Sequence, residues 1–150
     1  MAEIFEKDEY QFPGENPSRN QLQKTALFAI YDALTYLDMK EAVPIESIVA
    51  GLSGTTYEEA DYFVKASLIY SIKHYDEIVK VFNDHMNKWT FDRLNRVEQA
   101  LLLLSYVHYF HIGEVEKAVV IDVAVTLAKA YLDQKDYRFV NGILDNVLVK

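Results

Sequence analysis

Val97-Glu98-Gln99-Ala100-Leu101-Leu102-Leu103-Leu104-Ser105-Tyr106-Val107 is the stretch whose reading decides the fold. From Ala100 onward it is apolar on every side of a helical wheel. A helix with no polar face cannot lie on a surface and belongs at the centre of a bundle. Leu94, Val97, Leu101, Leu104 and Val107 keep the helical spacing, and Gly113 predicts where the helix ends. Trp89-Thr90-Phe91-Asp92 reads as a connector, with Asp92 the expected N-cap.

The flanking segments read as further helices. Toward the C-terminus, Val115 to Val125 is rich in β-branched residues and resembles a strand in composition. Its apolar stripe through Ala118, Ile121, Val125, Ala128 and Leu132 is nevertheless helical, and no turn residue interrupts it. Asp136 is expected to cap a last helix from Tyr137 to Val149. Toward the N-terminus, Asn16-Pro17-Ser18 offers helix-start chemistry for a first helix over Arg19 to Met39. Pro44 opens a short helix, Ile45 to Leu52, which the Gly51–Thr56 loop ends. Thr56 is expected to cap the periodic stretch that follows as far as Trp89, with a break near His74. The sum is an all-α, single-domain bundle of six or seven helices over residues 18–150, preceded by an acidic arm, residues 1–17. The arm is expected to pack loosely through Ile4, Phe5, Tyr10 and Phe12.

The chain has 150 residues, half of them apolar and a quarter charged, enough for one well-buried core. It has no cysteine, which excludes disulfides, thiolate metal sites and thiol catalysis. The acidic N-terminus lacks the order of a signal peptide. The longest apolar run, Ala100 to Ile112, is broken by Ser105, His108 and His111 and falls short of the roughly 20 residues a membrane span needs. The expectation is a soluble, cytoplasmic protein with no membrane partner. Net charge is −8, unfavourable for holding phosphates. The charge is uneven: residues 1–16 carry five acidic groups against Lys7, whereas residues 93–150 carry seven of each sign. A nucleic-acid face must therefore be a local patch.

No catalytic pattern stands out. There is no Walker A sequence, nucleophile elbow or HExxH. His108, His111 and Glu114 have a spacing that could hold a metal, but HxxH lacks a second motif, and the favoured reading is an aromatic cluster with Tyr106, Tyr109 and Phe110. Neither a metal site nor a cofactor is assigned. Gly51-Leu52-Ser53-Gly54 has the form of an RNA-clamping GxxG, yet no strands surround it and it reads as a turn. The remaining candidates are basic: Arg19 and Lys24 near the start of the first helix, and Lys129, Lys135 and Arg138 around the start of the last. Tyr137 or Phe139 could stack on a base there.

Phe139-Val140-Asn141-Gly142-Ile143-Leu144-Asp145 resembles the FVNGVLD-type signature of the NusB family of transcription antitermination factors. Ile121, Ala124, Val125, Leu127, Ala128 and Lys129 fit that family's INEAVELAK-type helix, and Ala26, Leu27, Ala29 and Tyr31 fit its first helix. The resemblance spans most of residues 18–145 and implies a NusB-like helical bundle. It also implies binding of boxA-type single-stranded RNA with NusE, a small-subunit ribosomal protein, in an antitermination complex on RNA polymerase that serves rRNA transcription. RNA-binding residues carried over on this basis are Arg19, Gln23, Lys24, Tyr31, Lys129, Lys135, Arg138 and Phe139.

The departures fall at functional positions. The Arg-rich opening of the family reads here Arg19-Asn20-Gln21-Leu22-Gln23-Lys24, with one arginine. Leu103 and His108 stand where the family has an arginine and a glutamate, Asp122-Val123 replaces Asn-Glu, Leu132 replaces a glycine, and Asp136 replaces a serine. The competing expectation is therefore a diverged protein–protein interaction module, or a homodimer, that has lost RNA binding.

Overall fold

The computed structural model describes residues 12–14 and 16–150, and among them are seven α-helices and no strand. They are α1 (Arg19–Asp38), α2 (Ile45–Ser53), α3 (Tyr62–Lys73), α4 (Tyr75–Asp84), α5 (Arg96–Val107), α6 (Lys117–Tyr131) and α7 (Gln134–Val147). A short 3-10 turn, Phe91–Arg93, leads into α5, and a π turn, His108–Ile112, follows it. No helix among the described residues is long and apolar enough to cross a membrane.

The all-round apolar helix lies where its composition requires. Every residue of α5 from Val97 to Val107 is buried. Helices α1, α3, α6 and α7 pack around it, and α1 also packs extensively on α3. The buried side of α1 includes Ala26, Ala29 and Ala33, whose small side chains allow close approach of neighbouring helices, interleaved with Leu27, Ile30 and Leu34. Two buried polar side chains of α5 find partners on nearby backbone carbonyls. Gln99 Nε2 donates to the Phe91 carbonyl at 2.9 Å, and Ser105 Oγ donates to the Leu101 carbonyl at 2.8 Å.

The helix termini are closed by specific chemistry. Ser18 and Gln21 form a capping box at the start of α1, as the Asn16-Pro17-Ser18 reading anticipates. At the start of α5, Asn95 Oδ1 accepts from the Glu98 amide at 2.8 Å and Glu98 Oε1 accepts from the Asn95 amide at 3.1 Å. This satisfies two donors that a helix start otherwise leaves open. The Arg96–Asp38 ion pair, at 2.8 Å, ties the start of α5 to the end of α1. Gly113 closes the π turn with φ 73° and ψ −165°, a backbone region open essentially to glycine alone.

Several expected boundaries shift. Asn95 rather than Asp92 caps α5, because Asp92 is held within the 3-10 turn. Asp61 rather than Thr56 caps the helix after α2; Thr56 instead closes a separate turn, its Oγ1 accepting from the Glu59 amide at 3.3 Å. The helix expected to reach Trp89 ends at Asp84, and the expected break falls at His74, between α3 and α4. Asp133, not Asp136, caps the last helix, so α7 begins at Gln134. Of the arm contacts, Phe12 rests against Gly54, whereas Ile4, Phe5 and Tyr10 lie outside the described residues.

Leu102 is fully buried, so Leu102→Ala removes most of its apolar surface and leaves a cavity. It is expected to destabilise the fold by about 3–4 kcal/mol in guanidinium titrations. Val119→Ala, on an exposed face, should change stability by less than about 0.5 kcal/mol. Equal effects of the two would show that α5 is not the centre of the core.

Candidate nucleic-acid interface

The basic residues picked out in the sequence fall on two regions of the surface. Lys129, Lys135, Arg138 and Phe139 gather where α6 hands over to α7. Asp133 sets this local geometry: it ends the two-residue link and its carboxylate accepts from the Asp136 amide at 3.0 Å. The first turn of α7 then projects successive side chains around the helix start. Lys129 Nζ lies over the Tyr137 ring at 5.4 Å from its centroid, and Lys129, Tyr137 and Arg138 line one groove between α6 and α7. On the other side, Arg138 and Phe139 border a second groove together with Lys88 and Trp89. Phe139 and Trp89 then continue into a third, of 360 Å³, with Arg93 and Lys135. Trp89 is 55% exposed, a large flat ring left in solvent.

Arg19 and Gln23 occupy the second region, at the start of α1. They border a groove closed by His108, Gly113 and Glu114 of the π turn. Arg19 and Lys24 are exposed, but Gln23 is only 5% exposed and presents little to a ligand. Tyr31 is half-buried and packed against the core, farther along α1. The two regions sit at opposite ends of α6. Val115, just before that helix, borders the Arg19 groove, and from Lys117 to Lys129 the helix rises about 18 Å. A single ligand touching both must be extended.

Charge pairing separates structural cations from available ones. Arg96 and Lys117 are held by Asp38 and Asp145, at 2.8 and 3.2 Å. Among the described residues, Arg19, Lys88, Arg93, Lys135 and Arg138 form no ion pair with a carboxylate. An unpaired surface cation keeps its charge and its donors for a ligand. Trp89 and Arg93 were hard to single out from sequence: Trp89 ends a periodic stretch, and an aromatic at such a place reads as core.

Acidic groups sit beside this surface. Glu98, Asp133 and Asp136 border the same groove as Trp89 and Phe139. Burial pushes the Glu98 carboxyl above the usual range; the Asn95 amide bond opposes this, and the Asp136 and Asp133 charges reinforce it. Asp136 is raised as well, first by burial and then by Asp133. At the other region, burial lowers His108 and the Arg19 charge lowers it further, so the imidazole beside Arg19 is neutral at pH 7. His108 is 4% exposed and meets Phe63 edge-on at 5.0 Å between centroids. Glu114 is exposed, and among the described residues His108, His111 and Glu114 do not bring three ligand atoms together.

These features define a class: small all-α domains that present an aromatic and basic surface from helix ends. Comparison with known proteins narrows it. The chain belongs to the NusB family, matching it over residues 20–149. It is 30% identical to the transcription antitermination protein NusB of Finegoldia magna over 132 residues, 87% of this chain and 93% of that one. It is 28% identical to the protein of the same name from Bacillus velezensis, across 83% of this chain and 94% of that one. Among solved structures, T. maritima NusB superposes with a TM-score of 0.70 at 23% identity, covering 87% of this chain and 90% of that one. Antitermination factors NusB and NusE in complex with dsRNA give a TM-score of 0.69 at 24% identity, covering 87% and 95%.

The raised Glu98 carboxyl makes a pH prediction. An acid harder to ionise in the folded chain stabilises the fold at low pH and loses that contribution as pH rises. The loss runs from the ordinary glutamate range up to the raised value. Glu98→Gln keeps an acceptor for the Asn95 amide and removes the titration. Thermal melts from about pH 4 to 7.5 should show a shallower decline for Glu98→Gln than for wild type, and at least equal stability at neutral pH. An unchanged slope would refute the assignment.

Proposed function

We propose that this chain is a transcription antitermination factor. It binds boxA-type single-stranded RNA together with a NusE-type small-subunit ribosomal protein, and joins the antitermination complex on RNA polymerase during rRNA transcription. It works in the cytoplasm and carries out no catalytic step of its own. Family membership and the names of its relatives, transcription antitermination proteins NusB, support this reading. The observation that carries it is the group of unpaired cations around the exposed Trp89 ring and the half-buried Phe139 near the start of α7.

The residue roles follow from their chemistry. Phe139, with Trp89 beside it, stacks on bases, an interaction that tolerates any sequence because every base has a π-face. Arg138, Lys135 and Lys129 contact phosphates. Arg19 and Lys24 extend the track toward the start of α1, and Tyr31 supports it. Gln23 contributes through the floor of its groove. This arrangement suits an extended single strand, whose unstacked bases are open to aromatic side chains. The net charge of −8 keeps non-specific attraction low, so binding depends on these few contacts and on the partner protein.

Fluorescence anisotropy of a labelled boxA-type RNA, with and without the NusE-type protein and at two salt concentrations, tests the reading. Binding should be salt-sensitive and tighter with the partner present. Arg138→Ala should weaken binding and reduce the salt slope by about 0.7–1, as expected for one lost phosphate contact. Phe139→Ala should cost about 1–3 kcal/mol with little change in slope. Arg19→Ala combined with Arg138→Ala should abolish binding while leaving helicity unchanged. Absence of binding at low salt even with the partner would leave a protein–protein interaction module, or a homodimer, as the function.

A further inference from the structure

The break between α3 and α4 and the π turn after α5 bring together residues that lie far apart in sequence. His74 is the break itself, the last cap of α3 and the first of α4. Glu77 follows one turn into α4. The π turn carries His111 onto the same spot. The His74 and His111 rings stack at 4.1 Å between centroids and 9° between planes. His74 Nδ1 and Glu77 Oε2 are 3.8 Å apart. One ligand atom from each of the three residues lies within 4.8 Å of the others.

Neither the stack nor the His–Glu contact satisfies these groups. A separation of 3.8 Å is too long for a hydrogen bond. His111 Nε2 is buried and has no hydrogen-bond partner. A buried polar nitrogen without a partner is costly, and native interiors rarely keep one without a reason. Burial, with His74 the next cause and Lys73 a lesser one, keeps His111 in the neutral form that can ligate a metal, while Glu77 opposes the shift.

We propose that His74, Glu77 and His111 form a binding site for one transition-metal dication of the zinc type. Two ligand atoms on a tetrahedral zinc, each 2.0–2.2 Å away, lie roughly 3.3–3.6 Å apart. The His74–Glu77 pair, at 3.8 Å, is close to that separation, and a pair 4.8 Å apart must close by roughly 1.2–1.5 Å; one of the two parallel imidazoles must also turn about its side-chain bonds so that both ring planes contain the ion. Two imidazoles and a carboxylate are borderline nitrogen and oxygen donors, which favour zinc, cobalt, nickel or copper over magnesium or calcium. Glu77 is 59% exposed, so the fourth position faces solvent and takes water. The bound ion gives the orphaned His111 nitrogen its partner. It also fastens the α3–α4 break to the far end of α5.

The test is calorimetric titration of ZnCl2 into the full chain, stripped with EDTA, in a non-coordinating buffer near pH 7.5, where histidine ligands are deprotonated. One ion should bind per chain and raise the melting temperature. His74→Asn, His111→Asn and Glu77→Gln should each weaken binding by at least about tenfold. His85→Asn should not, since His85 Nδ1 is engaged with the Val81 carbonyl at 2.8 Å. Glu77→Gln changes an exposed side chain and decides the matter if either histidine variant loses helicity by circular dichroism. No one-to-one binding by wild type, or binding unchanged in Glu77→Gln, overturns the proposal.

Discussion

The burial of α5 on all sides constrains everything else in this molecule. No residue from Val97 to Val107 reaches solvent appreciably, so polar chemistry can leave the centre of the fold only at the two ends of that helix. Both ends are occupied by unusual structure. The N-terminal end carries the Asn95–Glu98 capping box, with the 3-10 turn before it and Trp89 just upstream. The C-terminal end runs into a π turn, a form that tends to occur at functional positions. The aromatic and basic surface belongs to the first end, and the histidine cluster to the second. The core thus sets where binding chemistry can sit, although it takes no part in it.

Charge magnitudes explain how a chain with a net charge of −8 can present a basic surface. At physiological ionic strength, exposed charges farther than about 8–10 Å apart are largely screened. What a phosphate meets is therefore the local population around α7, not the total. That population is mixed: Lys135 and Arg138 face outward, while Glu98, Asp133 and Asp136 sit at and under the helix start. The three acids serve the fold first. Glu98 and Asp133 satisfy amides at the starts of α5 and α7, where the helix dipole also favours anions. Burial raises the proton affinities of Glu98 and Asp136, and the neighbouring acids raise them further. These acids weaken phosphate attraction, so on the proposed function stacking takes a larger share of binding.

The helical architecture was legible because helix periodicity and all-round apolarity are sums over many residues, and no single exception disturbs them. Cap positions were less legible, since each depends on one residue among several suitable ones. Asp133 and Asp136 are equally good caps in isolation; packing of α7 on α6 and α5 selects the earlier. Thr56 likewise has capping chemistry and uses it, but on a turn. The pairing of His111 with His74 was not legible for another reason. His108 and His111 share a face only if the backbone stays α-helical. The π turn rotates each residue by a smaller angle, which sends His108 into the core against Phe63 and His111 toward His74. No local spacing rule contains a partner 37 positions away, so that pairing exists only in the folded chain.

The departures from the family pattern divide in the same way. Leu103 and His108, which the family resemblance sets against an arginine and a glutamate, are both buried here. They extend the apolar surface of α5 and its exit turn rather than altering an exposed ligand surface. The losses at the start of α1 are different, because Arg19 and Lys24 are exposed there and Gln23 is not. The surface around α7 keeps its basic-aromatic pair and has Trp89, Arg93 and Lys88 beside it. Phosphate contacts contribute individually and stacking contributes per base. On the proposed function, a surface with fewer arginines on α1 and a second ring near Phe139 shifts binding from the first helix to the last. That shift lowers salt dependence; the exposed Lys88, Trp89, Arg93 and Arg138 lie outside the core, whereas Phe139 packs partly against it.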